Sequence, residues 1–350
     1  MKPALLFYCQ HSVGLGHLTR SYALCAALTR RFRVTLLCGG ELPRTIARPP
    51  RVHVVALPPL GVGPNGFGSA HPRLSTELAW AVRSERIHAA LRATRPAVVL
   101  VELFPFGRAK FARELVPLLQ QARALGAFTA CSVRDILVAS RQDQRAHDAR
   151  ARALADELLD AVLVHSDPRF ARLEETFAEP LTVPVHYTGF VTGPKPEPAS
   201  RDDVVVVSAG GGRVGEPLFR AAIEAAPDDI RVRVITGPLF PRAATLPERP
   251  NVEVIDAVPD LAQELRTARA SISQCGYNTA LDIVRTRVPA LVVPYATPEE
   301  DEQARRARRL EQLGLVLTGE LDYERLLAFS PRRAQLDLDG AQATTELLAA

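Results

Sequence analysis

Apolar residues fall along this chain in short runs rich in valine, leucine and isoleucine. Between them lie longer stretches whose apolar positions recur every three or four residues. That alternation is the pattern of βα units around parallel sheets, whose strands are buried on both faces. It predicts strands near Ala4–Cys9, Val34–Cys38, His53–Leu57, Ala97–Glu102, Phe128–Val133, Ala161–Val164 and Val185–Thr188. A second series follows at Val204–Ser208, Val232–Thr236, Val252–Ile255, Ala270–Ser273, Ala290–Pro294 and Leu315–Thr318. Leu18, Tyr22, Cys25 and Leu28 share one face of a helix after the first strand, and Ala304, Ala307, Leu310 and Leu313 mark a later stripe.

The two series are separated by Val191-Thr-Gly-Pro-Lys-Pro-Glu-Pro-Ala-Ser-Arg-Asp202. Its prolines and lack of apolar periodicity mark a stiff linker. The predicted architecture is α/β. Residues 1–190 form one Rossmann-like doubly wound domain, 191–202 the linker and 203–330 a second such domain. Residues 331–350 form a tail whose helix, near Ala341–Ala350, returns to the first domain. Ligands of open α/β sheets bind at the carboxyl ends of strands, so a cleft between the two domains is the expected site.

Composition adds limits. With 350 residues, 47% apolar and 23% charged, the chain has the make-up and length for two cores. No apolar run reaches the roughly 18 residues of a membrane span. Met1-Lys2-Pro3 leads directly into a strand rather than a signal peptide, and a cytoplasmic location is expected. Five cysteines without a CxxC spacing argue against a disulfide framework or a thiolate metal site. Net charge is +4, but residues 1–190 hold 24 Lys and Arg against 15 Asp and Glu, and residues 191–350 hold 19 against 24. The small total argues against nucleic-acid binding. The basic first half suits an anionic substrate or peripheral contact with an acidic membrane, and equally an uneven spread of solvated arginines.

Chemistry concentrates where strands give way to helices. Gln10-His11-Ser-Val-Gly14-Leu-Gly16-His17 follows the first strand, and Ser208-Ala-Gly210-Gly211-Gly212-Arg213 opens the second series. Glycines there admit close backbone approach, and helix-start N–H groups favour an anion. Neither turn is a P-loop, and Gly14-Leu-Gly16-His-Leu-Thr19 lacks the third glycine of a dinucleotide fingerprint, although Glu41 after the second strand keeps that reading open. Ser271-Ile-Ser-Gln-Cys-Gly276-Tyr277-Asn278-Thr279-Ala-Leu-Asp282 predicts a helix starting near the N-cap residue Asn278. Asp282, one turn in, either meets a ribose diol or complements the helix dipole. Glu302 and Gln303 stand at the mouth of another helix, where an acid and an amide can meet sugar hydroxyls.

Together these segments resemble GT-B glycosyltransferases of family 28, the MurG-like group, and within it a branch of bacterial glycosyltransferases. The resemblance spans roughly residues 4–320. Its phrases are Phe7-Tyr-Cys-Gln-His-Ser-Val-Gly-Leu-Gly-His17, Val101-Glu-Leu-Phe-Pro-Phe-Gly107, Ser132-Val-Arg-Asp-Ile-Leu137, Leu163-Val-His-Ser-Asp-Pro168, Ser208-Ala-Gly-Gly-Gly212 and Ser273-Gln-Cys-Gly-Tyr-Asn-Thr279. It implies a nucleotide-diphosphate sugar, a UDP-sugar foremost, held by the second domain as a substrate, with no cofactor. Gly210, Gly211 and Gly212 then face the diphosphate, Val258 holds the base through its backbone, Asp282 binds the ribose and Gln303 reads the sugar. Ser208, Arg213, Gly276, Tyr277, Asn278, Thr279 and Glu302 complete the expected donor side, and His11, Gly14 and Gly16 form an acceptor-side loop. Ala304 replaces a second glutamine common in the family, and the loop ending at His17 departs from the family's Gly-Gly-Thr-Gly-Gly-His type. The sugar and the acceptor are therefore not specified.

The sequence offers no plausible Asp-x-Asp metal site, because Asp337-Leu-Asp339 lies outside the strand-rich core. A metal-independent, inverting transfer of a hexose or N-acetylhexosamine to a hydroxyl is expected, the leaving diphosphate being met by oriented N–H groups and Arg213. His17, Glu102 and Asp135 are the candidate bases, with Glu102 also able to orient His17. A nucleotide-sugar hydrolase or 2-epimerase of the same fold, a nucleotide-sugar-binding subunit and an NAD-binding protein are the alternatives.

Overall fold

A computed structural model of the protein describes residues 2–11, 14–42, 46–63, 66–241, 245–297, 300–333 and 335–350. Ser12 and Val13 of the first glycine loop, and Glu299 of the acidic run, lie outside these residues. Strands β1 (Ala4–Cys9), β2 (Arg33–Cys38), β3 (Val52–Ala56), β4 (Leu60–Gly63), β5 (Gly66–Ser69), β6 (Val98–Glu102), β7 (Phe128–Arg134), β8 (Ala161–His165) and β9 (Val185–Tyr187) belong to the first half. Helices α1 (Gly16–Leu28), α2 (Thr76–Thr94), α3 (Ala112–Ala124) and α4 (Gln144–Leu158) connect them. The second half comprises β10 (Val204–Ser208), α5 (Glu216–Glu224), β11 (Arg231–Ile235), β12 (Val252–Ile255), α6 (Leu261–Thr267), β13 (Ala270–Ser273), α7 (Tyr277–Thr286), β14 (Ala290–Val292), α8 (Glu302–Gln312), β15 (Leu317–Thr318), α9 (Tyr323–Ala328) and α10 (Gly340–Ala349).

Two parallel sheets result. The first has the order β3-β2-β1-β6-β7-β8-β9 and the second β12-β11-β10-β13-β14-β15. Each is covered on both faces, which explains the continuous apolar runs: β1, β6 and β8 are buried at every position. Leu18, Tyr22, Cys25 and Leu28 are buried as their spacing predicts. Nine of the thirteen predicted strands lie one or two residues from their predicted bounds at one end or both, as the fraying of short elements would have it. The hairpin β4–β5, with Val62 in register with Phe67, is not among the predicted elements.

The stripe on α8 differs from expectation. Arg306, Ala307 and Leu310 are its buried residues, while Leu313 is 41% exposed. The helix is rotated because Arg306 is drawn inward by a carboxylate of the other sheet, described below. After α9 the chain crosses back: Val191 bridges Asp339 antiparallel, and α10 lays Ala341, Leu347 and Leu348 beside α1 in the core of the first sheet. The apolar cluster containing Ile136, Phe170, Phe190, Tyr277 and Ala280 draws on both halves and joins the two sheets. All five cysteines are free and buried.

Candidate active site

In each sheet the strand order reverses once, between β1 and β6 in the first and between β10 and β13 in the second. Loops diverge on either side of such a point and leave a crevice at the carboxyl ends. In the first sheet the glycine loop after β1 and Glu102 at the end of β6 flank it. In the second, Gly210–Gly212 and the start of α7 do. The two crevices meet. Asn278 Nδ2 donates to Gly16 O at 3.1 Å. A Cβ placed on Gly211 would lie 3.9 Å from the backbone nitrogen of Leu15.

On the first-domain side, His17 Nδ1 lies 2.6 Å from Glu102 Oε1. Arg20 Nη2 donates to the same oxygen at 2.6 Å, and Arg108 Nε stands 3.6 Å from Oε2. Glu102 is fully buried, and burial alone would raise its carboxyl; His17, Arg108 and Arg20 instead hold it well below the usual range. A carboxylate only accepts, so His17 carries its proton on Nδ1 and keeps the Nε2 lone pair. Burial pushes that imidazole down to about 3, with Arg108 and Arg134 adding to the fall against the pull of Glu102. The ring is therefore a neutral base at the first turn of α1. Arg20 and Arg108 were not among the expected site residues; their signal, a basic residue near each end of a glycine-bearing phrase, is too common to stand out. Leu103 and Arg108 both have left-handed φ, 66° and 61°, which places a strained loop beside Glu102.

Asp135 takes a different place from that expected of a base. Both its oxygens accept from Arg306, Nε at 2.7 Å and Nη2 at 2.8 Å, and the residue is 1% exposed. It is an interdomain ligand, closed to the cleft. His11 is likewise buried: its ring packs beneath Gly40 with Nε2 3.5 Å from Cys38 Sγ. Gly14 has open space above it, and Gly16 faces Asn278.

On the second-domain side, Gly210 and Gly212 adopt φ of 58° and 87°. A Cβ on Gly212 would stand 1.9 Å from Thr236 O, whereas one on Gly210 would enter free space. Only glycine fits the first position, and the second leaves room for a ligand. Ser208, below the loop, is buried with its hydroxyl unpartnered, and Arg213 lies exposed at the tip. Helix α7 starts at Tyr277 with Gly276 as N-cap, so Asn278 is within the first turn and uses its amide across the domains instead of capping. The first-turn N–H groups of α7, Thr279 among them, stand at the end of β13, which lies beside β10, the strand leading into the Gly210 loop.

Tyr277, expected on the donor side, turns its ring into the core between the sheets. Its hydroxyl donates to His165 O at 3.1 Å and accepts from Val191 N–H at 3.0 Å. Asp282 is paired with Arg285 at 3.0 Å, and burial raises its carboxyl to about 7 despite that partner. Val258 is half-buried in the loop that Asp260 closes by capping α6. At the start of α8, Glu302 is held by Arg134, and Gln303 Oε1 accepts from the N–H groups of Cys275 (3.1 Å) and Tyr295 (3.2 Å). With its oxygen committed, Gln303 meets a further group through its NH2. Among the described residues there is no cluster of three or more His, Cys, Asp or Glu placed to hold a metal ion, and no helix long and apolar enough to cross a membrane.

Two facing Rossmann-like domains joined in this way define the GT-B fold. Over 99% of its length the chain superposes on 94% of the crystal structure of the glycotransferase of kitacinnamycin (18% identity, TM-score 0.60). Over 100% it superposes on 94% of Phytolacca americana UGT2, solved with UDP-2fluoro-glucose and pterostilbene (17% identity, TM-score 0.59). Over 99% it superposes on 94% of the glycosyltransferase VinC, solved with dTDP (18% identity, TM-score 0.56). At these identities the likeness is one of fold. Residues 218–325 match the glycosyltransferase family 28 C-terminal domain. That match lies within the second half of the chain, and the likeness of fold to these glycosyltransferase structures extends over the whole of it. No curated protein matches it.

Proposed function

We propose that the protein transfers a hexose or N-acetylhexosamine from a nucleoside-diphosphate sugar, a UDP-sugar foremost, to an acceptor hydroxyl, with inversion and without a metal. The observation that carries this reading is the meeting of two half-sites. The dyad of a neutral His17 and an ionised Glu102 in one domain faces the glycine loop and α7 start of the other.

In this mechanism Nε2 of His17 takes the proton of the acceptor hydroxyl as its oxygen attacks the anomeric carbon. Glu102 stabilises the imidazolium that forms, and Arg20 and Arg108 keep Glu102 ionised. The leaving diphosphate gains charge as the glycosidic bond breaks, and the N–H groups at Gly210–Gly212 and the first turn of α7 accept it without reorganising. Asp282 receives the ribose, Val258 the base through its backbone, and Glu302 with Gln303 the sugar hydroxyls. Attack from the His17 side, opposite the leaving group, inverts the centre. Structures of UGT2 with UDP-2fluoro-glucose and of VinC with dTDP support a nucleotide-linked donor.

The test is a thermal-shift panel of UDP, dTDP and GDP sugars followed by turnover with model alcohols. A UDP-sugar is expected to raise the melting temperature most and to be consumed faster with an acceptor than with water alone. Consumption at an equal rate in water would make the protein a hydrolase. A panel with no shift at all would remove the donor site.

A further inference from the structure

Two neighbouring residues at the end of β7 bind α8 through ion pairs of opposite sense. Arg134 Nη1 and Nη2 donate to Oε1 and Oε2 of Glu302 at 3.0 and 2.7 Å. Its neighbour Asp135 accepts from Nη2 and Nε of Arg306 at 2.8 and 2.7 Å. Glu302 and Arg306 stand one turn apart on α8. The crossed polarity admits one register, since a slip of one turn would set Arg306 against Arg134.

The two rungs have different surroundings. Asp135 and Arg306 have side-chain exposures of 0% and 2%, and Arg306 Nη1 also donates to Cys275 O at 2.8 Å. Arg134 and Glu302 keep 17% and 16%. Each Glu302 oxygen receives one N–H from Arg134 and has a second lone pair. The carboxylate is thus fixed from the first domain while part of it remains open. Gln303, next in sequence, is locked by Cys275 and Tyr295 and has a donor NH2. Arg134 also lies near enough to His17 for its charge to act on the imidazole, so it stands between the proposed base and the sugar-reading pair.

Building on the donor reading above, we propose that Arg134 is a positioning residue for the donor sugar. It clamps the Glu302 carboxylate from the opposite domain so that its free lone pairs accept sugar hydroxyls only in the closed arrangement. The Asp135–Arg306 rung holds the register of that arrangement. The sugar, unlike the nucleotide, is then recognised by both domains together.

Calorimetric titration of UDP and of a non-transferable UDP-2-fluoro-sugar separates the two contributions. In the wild type the sugar adds affinity beyond the nucleotide. In Arg134→Gln that increment is expected to fall by about 10-fold, the loss of a charge-assisted hydrogen-bonding arrangement, while UDP affinity stays within about 2-fold. Arg134→Lys, which retains the charge, restores part of it. The exchange Arg134→Glu with Glu302→Arg keeps an ion pair, and hence the melting temperature, but does not restore the increment because the acceptor carboxylate now lies on the other domain. Equal weakening of both ligands in Arg134→Gln, no sugar increment in the wild type, or its full return in the exchanged pair would overturn the proposal. Absence of UDP binding in the wild type would instead overturn the donor reading on which it stands.

Discussion

His17 and Glu102, 85 positions apart, are joined by a 2.6 Å contact between Nδ1 and Oε1 at the switch point of the first sheet. The contact exists because β1 and β6 are neighbours, with Tyr8 in register with Val101, so the start of α1 that follows β1 meets Glu102 at the end of β6. If the dyad is the proton acceptor, His17→Ala lowers turnover by about 10²-fold or more while UDP affinity, measured by calorimetry, is kept. Glu102→Gln is expected to lose less, because the amide oxygen still accepts from Nδ1. Wild-type turnover in His17→Ala would place the base elsewhere.

The same burial makes the protein acid-sensitive. His11, His17 and His165 are all held neutral, the first two lowered to about 4 and about 3 and the third well below its ordinary value, with burial the leading cause in each. Unfolding frees these rings to bind protons below about pH 6.5, so the unfolded state holds more protons and stability falls as pH drops through that value. Glu102, whose carboxyl is lowered in the fold, adds to the loss only below about pH 4.5. Chemical denaturation at pH 7.5, 6.0 and 5.0 should show a steady decline. His165→Gln, which can keep hydrogen bonds to Ser132 and Thr188, should flatten it. Equal stability at all three values would mean that these histidines are protonated in the fold.

The sheets were legible because their central strands are buried on both faces and are therefore mostly apolar runs, as in Val204–Ser208 and Ala270–Ser273. The second glycine loop was legible because left-handed backbone at Gly210 and Gly212 favours that residue. What could not be read was pairing across the cleft. Asp135 looks like any strand-end carboxylate until Arg306 is brought to it from 171 positions away, and Arg306 looks like a solvated residue of an arginine-rich helix. Tyr277 follows a helix-start glycine in sequence, yet its hydroxyl is claimed by His165 and Val191 of the first half. Charge and hydroxyl pairings depend on tertiary contact and leave no periodic trace.

Gly212→Ala is expected to disable the donor loop. The residue has φ of 87°, and the new methyl would meet Thr236 O at 1.9 Å, so the loop must move. Gly210→Ala meets no protein atom; it costs roughly 1–2 kcal/mol of left-handed backbone strain and fills ligand space. Calorimetry should show UDP binding abolished in the first variant and weakened in the second. UDP affinity unchanged in both would detach the loop from the diphosphate.

Metal removal checks how the leaving group is stabilised. Under the proposed mechanism the diphosphate charge is met by main-chain N–H groups, so EDTA should leave initial rates unchanged, and added magnesium or manganese should not raise them. Abolition by EDTA with recovery on adding a divalent ion would reassign that role to a cation.

The Asp135–Arg306 pair predicts a stability effect distinct from catalysis. Both side chains are buried, and Asp135→Ala leaves the Arg306 guanidinium without its anion. Removing one partner of a buried pair costs about 3–5 kcal/mol. Arg306 keeps its bond to Cys275 O, but its Nε and Nη2 groups lose the acceptors that satisfied them. The cost should fall on the join between the domains, because the pair ties β7 to α8 and lies beside the apolar cluster shared by both sheets. Differential scanning calorimetry of Asp135→Ala is therefore expected to show a lowered transition, split into two if the domains come to melt separately. Replacing both partners, Asp135→Ala with Arg306→Met, should recover much of the loss, since an apolar side chain of similar length leaves no buried charge. A melting temperature equal to wild type in the single variant would show that the guanidinium finds another partner and that the clasp does not hold the domains.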